Sequence, residues 1–268
     1  MINKLAKYGI EYNPFIKGGH DVKIELEEYK QLLFRLRHLE NTKGIGLITG
    51  DPGLGKTTAL RYWTNSLNKS LYKVIYIPHS TVSIMEFYRI LCDELGLEVF
   101  HSKRKNFKNI QEEIKRLVIE KRITPVIILD EANYIPSDTL NDLKILLNFD
   151  MDSRDNLILL LVGQKVILST LSRGSFEPLR QRISMNYNIS PLGTDECRHY
   201  IDTKLQAAGL NTPILTTEAY NLVTNASKGV PRVINQIMDK ALLLLASDRE
   251  KDEIDQDMML GAIDEVSF

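Results

Sequence analysis

Five short runs rich in Val, Ile and Leu interrupt a chain that elsewhere repeats its apolar residues at helical spacing. They lie at 46–49, 73–77, 125–129, 157–162 and 186–189. The middle runs are almost continuously aliphatic, without the polar alternation of a half-solvated strand. That is the pattern of parallel strands covered on both faces. Between them the period lengthens and predicts helices over 57–67, 83–95, 109–120 and 138–147. Strands alternating with helices point to an α/β fold around a parallel sheet.

Beyond Pro191 the pattern changes. Thr194-Asp195-Glu196 opens one helix with a polar first turn, and Thr216-Thr217-Glu218 opens another. Pro231 stands at the first position of a third, PRVINQIMDKALLLLAS, and Asp255 caps a fourth. The expected organisation is an α/β domain over 1–192, including an N-terminal arm, and a small all-helical domain over 193–268.

Composition sets few further bounds. The 268 residues are 43 % hydrophobic and 26 % charged, with a formal net charge of −1, so a nucleic-acid surface would have to be a local patch. Two cysteines, Cys92 and Cys197, are too few for a disulfide framework or a zinc site and favour a reducing compartment. No apolar run approaches the roughly 18 residues of a membrane span, and MINKLAKYGIEYNPF lacks a signal-peptide core. A cytoplasmic protein without a membrane partner is expected. The five histidines, His20, His38, His79, His101 and His199, have no ligand spacing.

The chemistry concentrates after the first strand. Gly50-Asp51-Pro52-Gly53-Leu54-Gly55-Lys56-Thr57 fits G-x-x-x-x-G-K-[ST] at every fixed position, between a strand and a helix. Glycines let backbone N–H groups face inward as an anion nest, and the helix start adds its positive end. Lys56 is expected to reach the β- and γ-phosphates of ATP, with Thr58 beside it. The Thr57 hydroxyl is expected to ligate Mg²⁺. The run PVIILDEAN then places two carboxylates at a strand's end. Asp130 is expected to hold Mg²⁺, and Glu131 to polarise the attacking water.

These residues, with the helical C-terminal part, resemble the AAA+ ATPases. The resemblance implies a five-stranded parallel sheet with a helical lid. It places Gln164, at the end of LLLVGQ, in the sensor 1 position, where the family often has Asn. EPLRQRI resembles the arginine-bearing segment, so Arg180 or Arg182 would act on a neighbouring subunit's γ-phosphate. KGVPRVIN resembles sensor 2, with Arg232 reaching the phosphates. YGIEYNPF, LLLVGQ and GVPRVIN are most similar to the group joining ExeA-type ATPases to the transposition ATPases of the TniB, TnsC and MuB kind. Tyr8, Pro14 and Phe15 would then lie near the adenine, or would pack as the core of the arm.

The densest basic cluster is Lys103, Arg104, Lys105 and Lys108, with Phe107 interleaved. By resemblance it would face double-stranded DNA in the channel of a ring or filament of copies of the chain, contacting phosphates without reading sequence; otherwise it is a solvated loop. YIPSDT, at 134–139, would add hydroxyl contacts to the same backbone. The expected function is an ATP-dependent DNA-binding ATPase that regulates a transposase. The alternatives are an ExeA-type secretion ATPase and a nucleotide-gated DNA scaffold with negligible turnover.

Overall fold

The computed structural model describes residues 5–18, 22, 24–78, 81–149, 155–248 and 250–267, which fall into two compact units. The larger comprises 31–52 and 56–189; the smaller comprises 1–30, 53–55 and 190–268.

The larger unit is built on five strands: β1 (Gly44–Gly50), β2 (Tyr72–Ile77), β3 (Thr124–Leu129), β4 (Ile158–Gly163) and β5 (Ile183–Ile189). Every pairing is parallel, and the order across the sheet is β2-β3-β4-β1-β5. The helices are α1 (Glu27–Thr42), which enters this unit at residue 31, α2 (Lys56–Ser66), α3 (Ile84–Leu95), α4 (Lys103–Ile119), α5 (Ser137–Leu146), α6 (Val166–Leu171) and the short α7 (Glu177–Arg180).

Both sheet faces are covered, which explains the absence of polar alternation: β1 and β4 are buried at every position. Ile45, Leu47, Ile127, Leu129, Leu159 and Leu161 share one core with Phe87, Leu91, Ile110, Ile114, Leu140 and Leu143 of α3, α4 and α5. On the other face α1 lies so close that a Cβ on Gly46 would stand 2.9 Å from Leu39 Cδ2 and 2.6 Å from Leu160 Cδ2. Trp63 of α2 is fully buried and donates its indole N–H to Glu40 of α1 at 2.7 Å.

Several elements differ from the sequence reading, among them β5, which starts at Ile183 rather than at 186. Helix α4 begins at Lys103 rather than at 109, so the basic cluster forms its first turns instead of a loop. Its buried residue there is polar: Asn106 exchanges two hydrogen bonds with the Phe100 backbone, at 2.8 and 3.0 Å. Helix α1, with Leu32, Leu36 and Leu39 buried, and the short α6 and α7 lie outside the helices that the apolar period predicts.

The smaller unit contains α8 (Thr194–Ala207), α9 (Thr217–Ser227), α10 (Pro231–Ser247) and α11 (Gln256–Asp264). Thr216 and Asp255 cap α9 and α11, accepting from the N–H groups of Ala219 and Met258. The N-terminal arm groups with these helices rather than with the sheet. Leu5, Ile10, Phe15, Ile24 and Leu26 join the core of Ile201, Leu205, Val223, Ile234 and Met238. Tyr12 donates to the Ala207 carbonyl (2.9 Å), Asn13 to Asp239 (2.7 Å) and Lys204 to the Pro14 carbonyl (2.8 Å).

Candidate active site

Parallel β1, β3 and β4 are neighbours and end at the same edge of the sheet, so their C-terminal residues converge although they are far apart in sequence. A crevice at the strands' carboxyl ends is where open α/β sheets bind ligands.

After β1 the chain turns through Gly53 (φ 86°) and Gly55 (φ 84°), backbone conformations that L side chains seldom adopt. Lys56 follows, 8 % exposed, its ammonium donating to the carbonyls of Gly50 (2.8 Å) and Asp51 (3.0 Å). The cation is thus held at the loop's base. Thr57 and Thr58 open α2.

Asp130, directly after β3, is 5 % exposed and accepts hydrogen bonds on both carboxylate oxygens. Its Oδ2 receives the Thr57 hydroxyl at 3.0 Å and the Tyr76 hydroxyl at 2.6 Å, and its Oδ1 receives the Glu131 N–H at 2.9 Å. Burial, then the Asp130 carboxylate, pushes the Tyr76 phenol pKa well above its ordinary value, so Tyr76 remains a donor. Glu131 has φ 51° and ψ 40°, a left-handed conformation costly for a residue with a side chain. Its side chain is exposed beside the buried Asp130.

The segment after Glu131 is clasped to β4. Asn133 Oδ1 accepts the Gln164 N–H at 2.9 Å. A Cβ on Gly163 would lie 2.5 Å from that same oxygen. The Glu131 turn and Gln164 are therefore held by one side-chain carbonyl. Lys165 pairs with Asp51 of the phosphate loop at 3.3 Å.

The arginines take distinct positions. Arg182, half-buried, donates to the Lys144 carbonyl (2.7 Å) in the last turn of α5. Arg180, exposed, donates to the Ser172 carbonyl (3.3 Å) and pairs with Glu177 (3.8 Å). Arg232 is the second residue of α10 in the smaller unit, and within that unit its backbone N–H donates to the Gly53 carbonyl at 3.3 Å. Phe15 is buried in the helical core, Pro14 beside it in sequence is also buried, and the half-buried Tyr8 donates to the Lys251 carbonyl.

The basic cluster is largely engaged within the chain. Lys103 pairs with Asp142 and stands 5.9 Å from the Tyr88 ring centre. Lys105 lies 5.2 Å from the Phe100 ring centre, and Lys108 pairs with Glu112 at 3.5 Å. Arg104, Lys105 and Lys108 are exposed. Among the described residues no cluster of three or more His, Cys, Asp or Glu is placed to hold a metal by itself. His20 and His79 lie outside the described residues. No helix among the described residues is long and apolar enough to cross a membrane.

Tyr76 and Asn133 escaped the sequence reading. Tyr76 reads as an ordinary strand residue, and its partner is 54 positions away. Asn133 could have been noticed as a third polar residue, one alanine beyond the acidic pair.

Comparison with known proteins agrees with this geometry. A family model described as an AAA domain matches residues 37–171. Over 243 residues the chain is 29 % identical to general secretion pathway protein A of Aeromonas hydrophila, covering 88 % of this chain and 44 % of that protein. Over 152 residues it is 25 % identical to the ATP-dependent target DNA activator B of Escherichia phage Mu, covering 57 % of this chain and 45 % of that protein. The chain thus spans less than half the length of these relatives. The crystal structure of Cdc6p from Pyrobaculum aerophilum has the same fold, with a TM-score of 0.75 at 17 % identity over 97 % of this chain and 72 % of that one.

Proposed function

The chain belongs to the AAA domain family, and from that premise we propose that it is an ATPase that assembles with copies of itself on double-stranded DNA and regulates a transposase. The convergence of Thr57 and Tyr76 on Asp130, with Glu131 displayed beside it, carries the enzymatic part of this reading.

The residues fit a nucleoside triphosphate with Mg²⁺. The loop has glycines where the backbone needs positive φ, a lysine ammonium at its base, and a hydroxyl already aligned on a buried carboxylate. A hydroxyl that donates to Asp130 keeps its lone pairs for a cation. Thr57 and Asp130 would hold Mg²⁺, which when bound neutralises charge on the β- and γ-phosphates. Gly50, Asp51, Pro52, Gly53, Leu54 and Gly55 would present backbone N–H groups to the phosphates, with Thr58 alongside. Lys56 would exchange carbonyl partners for phosphate oxygens. Glu131 would take the proton of the attacking water, and Gln164, held by Asn133, would orient that water. Arg232 in cis, and Arg182 or Arg180 from a neighbouring copy, would stabilise charge on the transferred phosphoryl group.

The regulatory part rests on similarity to the phage Mu protein, whose name describes an ATP-dependent activator of target DNA. Arg104, Lys105 and Lys108, on the exposed first turns of α4, offer phosphate contacts, and Lys103 would join them on leaving Asp142. The second reading, a secretion ATPase, is favoured by the longer match to general secretion pathway protein A. Electron microscopy of the protein with duplex DNA and a non-hydrolysable ATP analogue tests the first. Ordered assemblies that require both components support it. Their absence, with ATP turnover indifferent to duplex, favours the secretion reading.

A further inference from the structure

We propose that Tyr76 is a positioning residue for the metal: its hydroxyl locks the Asp130 carboxylate in the orientation that a nucleotide-bound divalent cation requires. The inference rests on the nucleotide reading above and deepens it.

The argument is geometric. Asp130 is buried, so each carboxylate oxygen must find donors within the protein. Oδ1 is tied to the N–H of the following residue and cannot turn without disturbing the strained Glu131 backbone. Oδ2 is shared between two hydroxyls with different prospects. Thr57 belongs to the phosphate loop's helix and meets the cation directly. Tyr76 has no part in the loop. It reaches Asp130 from the edge strand β2, and its contact is the shorter of the two, 2.6 against 3.0 Å. When the Thr57 oxygen turns its lone pairs to a cation, Tyr76 keeps Oδ2 in place from the far side. β2 pairs with β3 from Tyr72 through Ile77, alongside the strand that Asp130 directly follows. Tyr76 as a whole is 40 % exposed, so it is not a core residue held by packing alone. The hydroxyl's directed contact is with Asp130.

The test is Tyr76→Phe, which keeps the ring and removes one oxygen. Binding of a fluorescent ADP analogue is titrated first in EDTA and then against rising Mg²⁺, with no turnover involved. The expected result is unchanged affinity without metal and a Mg²⁺ requirement raised about tenfold, the effect of losing one hydrogen bond to a charged acceptor. Tyr76→Gln, which can still donate, should recover part of the difference. Should the Phe variant melt early, the Gln variant carries the comparison. An unchanged Mg²⁺ midpoint in Tyr76→Phe overturns the proposal. So does an equal loss of affinity with and without metal, which would make the hydroxyl merely structural. If the parent protein itself shows no Mg²⁺-dependent nucleotide binding, the underlying reading fails and the inference goes with it.

Discussion

Replacing Gly163 by Ala tests whether the clasp between β4 and the Glu131 turn matters. The new methyl group would sit 2.5 Å from Asn133 Oδ1, 3.1 Å from the Asn133 nitrogen and 3.2 Å from the Ala132 nitrogen. Two of those three atoms are backbone and cannot rotate away, and β4 is held on both sides by β1 and β3. Overpacking of this kind costs about 1–3 kcal/mol, and loss of the Asn133–Gln164 hydrogen bond adds about 1. For a unit of this size the sum lowers the melting temperature by roughly 5–15 °C. The strain falls on the segment that presents Glu131, so turnover should drop more than nucleotide affinity. Calorimetric melting, nucleotide titration and steady-state hydrolysis on the same preparation separate these effects. Asn133→Ala in the Gly163→Ala background removes the closest contact but leaves the two backbone ones. The double variant should therefore be less destabilised than the sum of the single variants, by about 1 kcal/mol. A Gly163→Ala protein that melts and hydrolyses like the parent would refute the reasoning, as would strict additivity with Asn133→Ala.

Glu131→Gln should leave Mg²⁺–ATP binding intact and slow hydrolysis by roughly 10²–10⁴-fold; unchanged turnover would place the base elsewhere. Changing Arg104, Lys105 and Lys108 together to Ala should weaken duplex binding alike for all sequences and flatten its log–log salt dependence by roughly 0.9 per lost contact, while nucleotide binding persists. An unchanged slope would make the cluster a solvated helix face. Asp255→Ala removes the α11 cap and should cost about 1 kcal/mol at neutral pH. Lys251, then the Met258 N–H, holds the Asp255 carboxyl below its ordinary value, so this stabilisation is present above the usual carboxylate range and fades as pH falls through the lowered value. Parent and variant melting curves should converge in strong acid.

How much of this was legible beforehand depended on where each signal lay. The five strands and the two ends of the phosphate chemistry are written in contiguous residues: aliphatic runs, the glycine-rich loop, Asp130-Glu131. Strand β1 was read two residues short at its start because Gly44 and Ile45 precede a further glycine, which weakens a strand pattern. The first turns of α4 were missed because they bury Asn106 and half-bury Phe107 amid lysines, so apolar periodicity had nothing to detect. The grouping of the arm with the helical unit is not legible for a different reason. Leu5, Ile10 and Phe15 announce burial, but nothing local says against what. Tyr76 and Gly163 acquire meaning only from partners brought in by strand pairing.

The strand order also bears on synthesis. β1 is buried along its whole length, yet among the described residues its sheet partners are β4 and β5. Roughly 110 residues separate the end of β1 at Gly50 from the start of β4 at Ile158. At ribosomal rates of about 5–20 residues per second, β1 leaves the tunnel roughly 5–20 s before anything exists for it to pair with. During that interval an apolar segment with two open edges must be shielded by its own helices or by a chaperone, because unpaired strand edges invite association between chains. The segment that carries the phosphate loop is thus made early but completed late. Truncations ending before β4 should be the most aggregation-prone forms of this protein, and the yield of soluble chain should rise sharply once both flanking strands are encoded.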